Sequence, residues 1–159
     1  METITAIVET PKGSNAKYNY DEQHNGFKLK KLLPAGMVFP FDFGFIPSTR
    51  GGDGDPLDVI ILSEIKSFPG CIMDCRLIGA ITASQSAKGK TVRNDRLLAV
   101  PLASQLFETI RSINNLPKDI ITQLESFFIN YNKLEGKTFK PLKHIGAQQA
   151  LKLIKTNIQ

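Results

Sequence analysis

Two different spacings of apolar residues divide this sequence, and together they constrain its fold more than any other feature. Through the first two-thirds, short apolar runs alternate with turn-forming residues. Ile4 to Val8, Lys17 to Tyr20, Phe27 to Leu33, Leu57 to Leu62, Cys71 to Thr82 and Leu97 to Val100 each read as a strand. Asn25-Gly26 is a turn signal that makes the second and third of these a hairpin. Ser84 to Asn94 is polar with glycine and lysine, and reads as a surface loop. In the C-terminal third the spacing changes. Ile120, Ile121, Leu124, Phe127, Phe128, Tyr131 and Leu134 fall on one stripe of a helix, with Pro117 suited to its first turn and Gly136 to its stop. A second short helix is expected over Ala147 to Lys155, with Leu151 and Ile154 inward. Strands followed by helices predict an α+β domain, in which a sheet of short strands can close as a small barrel.

A chain of 159 residues predicts one domain, 1–159, with a core that needs no staples. Cys71 and Cys75 stand four apart in a strand, about 13 Å, too far for a disulfide or a shared metal. Free thiols fit a reducing compartment. No apolar stretch approaches a membrane span, and no basic segment leads into one at the N-terminus. The expectation is a cytoplasmic protein without a membrane partner. The net charge of +5 allows nucleic acid, an anionic surface or a small anionic substrate, and the lysines are too dispersed to choose among them.

The segment richest in chemistry is Gly51-Gly52-Asp53-Gly54-Asp55-Pro56-Leu57-Asp58. Asp53 and Asp55 alternate with small residues and would point the same way in an extended loop, while Asp58 opens the next strand. Crowded carboxylates repel unless cations neutralise them, and all-oxygen donors suit Mg²⁺ or Mn²⁺ better than zinc. A plain Asp-Gly and Asp-Pro turn is the competing reading. A calcium loop of the EF-hand kind fails on spacing, because counting from Asp53 the required glycine falls on Asp58.

Asp53-Gly54-Asp55-Pro56-Leu57-Asp58 followed by Val59-Ile60-Ile61 resembles the signature of the family I soluble inorganic pyrophosphatases. The neighbourhood is similar in order and spacing: Val8-Glu9-Thr10-Pro11, Ala16-Lys17-Tyr18, the run Phe39 to Ile46, Pro69-Gly70, Arg76 to Gly79, Ala99-Val100-Pro101, Asn114 to Pro117, and Phe127-Phe128 through Tyr131 and Glu135. The resemblance implies an OB-like five-stranded β-barrel with helices packed on it, a homohexamer, and hydrolysis of pyrophosphate to two phosphates with Mg²⁺, Mn²⁺ being a possible substitute. It implies Asp55 as the catalytic base on a metal-activated water, and Glu9, Asp53, Asp55 and Asp58 as metal ligands, with Asp95 added on one placement of the 84–94 segment. It implies Lys17, Lys31, Arg96 and Tyr131 as ligands of the phosphate oxygens.

The departures from the family pattern fall at functional positions. Asn19 stands where the family has Glu, Lys31 for Arg, Phe39, Phe43 and Phe45 for Tyr, Gln85 and Asn94 for Asp, Arg96 for Lys, and Asn132 for Lys. Fewer acids accompany fewer bases, so the site is re-balanced. The alternative function is therefore a catalytically degenerate paralogue that binds metal, phosphate or a protein partner. An OB-like nucleic-acid module is not expected. Such surfaces stack bases on exposed aromatics, and here Phe39, Phe41, Phe43 and Phe45 form one run that reads as core. His24 and His144 match no family position.

Overall fold

A computed structural model describes residues 2–159. In chain order the elements are β1 (Thr3–Thr10), β2 (Ala16–Asp21), β3 (Gly26–Leu32), β4 (Asp42–Phe45), β5 (Asp58–Ile61), β6 (Ile72–Ala87), β7 (Lys90–Arg93), β8 (Arg96–Pro101), α1 (Lys118–Leu134), β9 (Thr138–Gly146) and α2 (Ala147–Thr156). Strands β1, β4, β5, β8 and β6 pair in that order, and β6 pairs back to β1, so five strands form a ring. β6 is long enough to leave the ring and pair with β7 and β9 as well, while β2 and β3 make a separate hairpin.

The apolar run after the acidic loop lacks alternation because β5 is covered on both faces. Successive side chains of a strand point to opposite sides. Val59 and Ile61 join Val8, Leu97 and Ala99 in one core, which Ala150 and Ile154 of α2 complete. Ile60 joins Leu98, Val100, Ile78 and Ile81 in a second core, against Leu124 and Phe128 of α1. β5 and β8 are parallel, the arrangement in which strands are buried on both sides and read as continuous hydrophobic runs.

Strands β1 and β4 approach closely because Gly44 has no side chain. A Cβ there would lie 2.3 Å from the Ile7 carbonyl oxygen, a backbone atom that cannot swing aside. Gly44→Ala is therefore expected to destabilise the fold by about 3 kcal/mol, the upper range for overpacking. A urea titration checks it, and an unchanged midpoint would show that the two strands separate at no cost.

The sequence expectation of a surface loop over 84–94 is corrected. Ser84 to Ala87 and Lys90 to Arg93 are paired strands. Lys88 and Gly89 both have positive φ, 51° and 77°, which is the backbone of the two-residue turn that matches strand twist. The Ser86 and Thr91 hydroxyls hydrogen-bond across the pair at 2.8 Å. β4 and β9 were not foreseen as strands: β4 is hidden in the phenylalanine run, and β9 contains Pro141. Within α1, Leu134 leaves the apolar stripe and is 61% exposed. Pro117 caps the helix from just outside it, and Gly136 follows the helix with φ 75°. α2 lies where expected, with Ile154 buried and Leu151 half-buried. Both cysteines are free, and burial pushes the Cys75 thiol up to about 12.

Candidate active site

The parallel register of β5 and β8 sets Asp58 directly beside Arg96, the first residues of the two strands. The pairing places a carboxylate and a guanidinium at the same end of the ring, where the acidic loop enters. Arg96 Nη1 donates to Asp58 Oδ2 and to the Asn94 side-chain oxygen. Asn94 in turn donates from its amide nitrogen to Gln85 Oε1 at 2.5 Å. Arg96 is only 5% exposed, with its guanidinium 4.7 Å from the Phe128 ring centre and 5.2 Å from that of Phe139. Its Nε is buried without a hydrogen-bond partner.

These groups form one wall of a cavity of about 450 Å³. The cavity is also lined by Glu9 from the end of β1 and Lys17 from β2. Glu9 Oε2 accepts from the Tyr20 amide at 3.0 Å. Burial raises the Glu9 carboxyl above its ordinary range, with Lys17 opposing. Burial likewise lowers the Lys17 amine, with Glu9 and Asp58 opposing. The amine sits 4.2 Å from the centre of the Phe43 ring. The residue that lacks a tyrosine hydroxyl thus gives its face to a buried ammonium.

The acidic loop forms the floor. The Gly51 amide donates to the Asp55 carbonyl at 2.7 Å and the Gly54 amide to the Gly51 carbonyl at 3.0 Å, with Gly54 at φ 88°. Asp53 Oδ1 accepts from the Asp55 amide at 3.1 Å. The loop is held by backbone groups, and the Asp55 side chain lines the cavity with those of Asp53 and Asp58. Burial pushes the Asp58 carboxyl up to about 6, Arg96 and Lys17 opposing, and Glu9 and Asp53 adding to the rise. Burial also raises Asp53.

Two of the residues singled out by sequence lie off this wall. Asp95 alternates with Asn94 and Arg96, so its side chain points away. Its carboxylate takes three bonds from Arg93, from Nε at 3.1 Å and from Nη2 at 2.9 and 3.0 Å, and one from the Ala83 amide at 3.0 Å. It lines a smaller hollow of about 260 Å³, which Asp53 and Asp58 also line, rather than the larger cavity. Lys31 does not line the cavity; it pairs with Glu135 and lies 4.3 Å from the Tyr131 ring centre. Burial pushes Glu135 up, but the Lys31 pair outweighs it and holds the carboxyl below its usual range. Tyr131 does line the cavity while stacking on Phe127, and burial raises its phenol. Lys30, Arg50 and Lys137 also reach the cavity. Sequence spacing did not single them out, because nothing local distinguishes them from surface charges.

Among the described residues, no three His, Cys, Asp or Glu side chains converge on one point as a ready-made metal centre. Glu9, Asp53, Asp55 and Asp58 are nevertheless hard oxygen donors around one cavity. That set fits an ion held by one or two carboxylates, with water and substrate oxygens completing its shell, which is the habit of Mg²⁺.

A ring of five strands whose cavity gathers carboxylates and buried cations is suited to a small, highly charged anion together with a metal ion. The model of the inorganic pyrophosphatase family matches residues 6–159. The inorganic pyrophosphatase of Halalkalibacterium halodurans is 35% identical over 153 residues, 96% of this chain and 91% of the relative. That of Geobacillus stearothermophilus is 34% identical over 95% of this chain and 89% of its own. The crystal structure of the Thermus thermophilus inorganic pyrophosphatase superposes with a TM-score of 0.90 at 31% identity, covering 99% of this chain and 90% of that one. The chain belongs to the inorganic pyrophosphatases, of the bacterial family I type, which are metal-dependent hydrolases of pyrophosphate. No helix among the described residues is long and apolar enough to cross a membrane.

Proposed function

We propose that this chain hydrolyses pyrophosphate to two phosphates with Mg²⁺, Mn²⁺ serving as a substitute, in the cavity between the acidic loop and Arg96. The observation that supports the reading is that Glu9, Asp53, Asp55 and Asp58 line one cavity together with the buried cations Lys17 and Arg96. Glu9, Asp53, Asp55 and Asp58 hold the metal, which supplies charge neutralisation and lowers the pKa of a bound water. Asp55 orients the attacking water and accepts its proton. Lys17 and Arg96 grip phosphate oxygens, Tyr131 adds a hydroxyl, and Lys31 acts from behind by holding Glu135 and the Tyr131 ring in place. Asp95 is left out of the metal set because Arg93 already satisfies it. By resemblance the chain is a single domain that works as a homohexamer in the cytoplasm.

The experiment is phosphate release from pyrophosphate by the purified chain, with Mg²⁺ and then with Mn²⁺. Rapid metal-dependent release is expected. Its absence from folded protein would overturn the enzyme reading in favour of the degenerate one. That second reading is favoured by one observation: the neutral Gln85 and Asn94 amides hydrogen-bond to each other where a carboxylate pair would bring charge.

The Asp58 carboxyl also sets a pH dependence. A proton and a cation compete for it, and burial has moved that competition up to about pH 6. Metal binding should be full above this value and weaken by about tenfold per pH unit below it. Free Mn²⁺, followed by its electron paramagnetic resonance signal from pH 5 to 7, reports the effect. A flat profile would remove Asp58 from the ligand set. In the metal-free chain the same raised carboxyl works against folding: its contribution to stability is full below the ordinary Asp range and is lost as pH rises through about 6.

A further inference from the structure

We propose that Arg50 is a further substrate-binding residue, held at the cavity by Gln159 with one edge of its guanidinium free for a phosphoryl oxygen. The proposal rests on the pyrophosphatase reading and deepens it. It adds to the site a segment, 157–159, that no motif of the acidic loop announces.

That segment returns from α2 and pairs with residues 48–50. Thr49 and Ile158 form an antiparallel bridge. The Arg50 amide donates to the Asn157 carbonyl at 2.8 Å, and the Gln159 amide donates to the Ser48 carbonyl at 3.0 Å. This register makes Arg50 and Gln159 diagonal neighbours across the pair, a spacing that long side chains bridge. Both residues line the large cavity. Between them in the pairing, Thr49 is buried and fixes the backbone. Its hydroxyl donates to the Ile46 carbonyl at 2.6 Å and accepts from the Leu57 amide at 3.0 Å. Arg50 therefore stands on a held backbone, one residue before Gly51, whose amide closes the acidic loop onto the Asp55 carbonyl.

The side chains show why this cation is available. A guanidinium has donors and no acceptor, so the Gln159 atom that meets it is the amide oxygen. That oxygen accepts from Arg50 Nε at 2.7 Å and from Arg50 Nη2 at 2.9 Å. One edge of the guanidinium is thereby fixed. The Nη1 edge keeps its donors, in the planar fork that matches a phosphate. Gln159 carries no charge, so it orients Arg50 without neutralising it. Among the described residues Arg50 makes no ion pair with a carboxylate. Lys31 and Lys137, by contrast, both face Glu135. Lys31 was expected to bind phosphate and does not line the cavity, whereas Arg50 brings the lining a guanidinium.

The test uses the full chain and two readouts: the KM for pyrophosphate with Mg²⁺, and the Kd of methylenediphosphonate with Mg²⁺ by isothermal titration calorimetry. The bridge of this analogue cannot hydrolyse. Arg50→Gln is expected to raise both constants by about tenfold, the worth of one charge-assisted hydrogen bond, with kcat little changed. Arg50→Lys keeps the charge but loses the fork, and should fall between. Gln159→Glu separates presenting the cation from merely fastening the segment. It keeps the shape of the side chain and the bonds to Arg50 but neutralises the guanidinium. It should raise KM and Kd by about threefold, the scale of an exposed ion pair, without lowering Tm. A residue that only fastened the segment would leave both constants where they are. Unchanged KM and Kd in Arg50→Gln, or in Gln159→Glu, would overturn the proposal. Failure of the parent reading looks different: the analogue would bind, with these variant effects intact, while pyrophosphate with Mg²⁺ released no phosphate.

Discussion

Asp55→Asn is expected to lower Mg²⁺-dependent phosphate release by about a thousandfold, within the range that a positioned general base contributes. The substitution keeps the size and shape of the side chain and removes its negative charge, and with it its capacity to take a proton and to bind a metal as an anion. The loop should not notice the change. Its geometry rests on the Gly51 amide to the Asp55 carbonyl and on the Asp55 amide to Asp53 Oδ1, both of which involve backbone atoms of residue 55. The Asp55 side chain is exposed within the cavity and packs in neither core. Thermal stability should therefore stay within about 0.5 kcal/mol of wild type, as for surface changes generally. Steady-state assays should show the loss in kcat rather than in KM. Retained turnover would move the base to another carboxylate. A large fall in stability would mean that the loop depends on the carboxylate itself.

Arg96→Met is expected to destabilise the fold by about 3–5 kcal/mol at pH 7.5, the cost of stranding one partner of a buried ion pair. Methionine replaces the stem that packs among Phe43, Phe128 and Phe139, so lost volume is not the main term. The cost comes from Asp58, which keeps its charge in a buried place and loses the cation that most opposes its upward shift. Two consequences follow from that cause. Arg96→Met/Asp58→Asn should recover much of the loss, because no charge is then left unpaired. The penalty of the single variant should also shrink at pH 5, where Asp58 escapes by taking a proton. Urea titrations of wild type and both variants at the two pH values decide the matter. An equal penalty at both values would place the cost in packing rather than charge.

The acidic loop and the strand after it were legible because their information is local. Three aspartates in six residues need no partner to be noticed, and the unbroken apolar run Val59 to Leu62 reads as a buried strand. The α1 stripe was equally plain over Ile121, Leu124 and Phe128, which all reach the core. The reading failed where a distant element decided the outcome. Ser84 to Arg93 is polar because its hairpin stands out from the ring, yet Gln85 in it also pairs with Phe139 of β9. Leu134 follows helical spacing but lies beyond the point where α1 has anything to cover it. β9 was hidden because its ladder belongs to β6, whose paired residues run from Gly79 opposite Gly146 to Ser86 opposite Thr138, far earlier in the chain.

By itself the sequence determined the division into strands and then helices, the acidic floor of the cavity and the family. These follow from side-chain periodicity and from the spacing of charges a few residues apart. Tertiary structure alone decided which charges meet. The register of β5 on β8 put Asp58 against Arg96, strand alternation turned Asp95 away toward Arg93, and folding of β2 against the ring brought Lys17 over Phe43. An ion pair across a sheet depends on register and on burial, and neither is written in the residues on one strand. The same carboxylate is an ordinary acid in an unfolded chain and is pushed up to about 6 once the cores close around it.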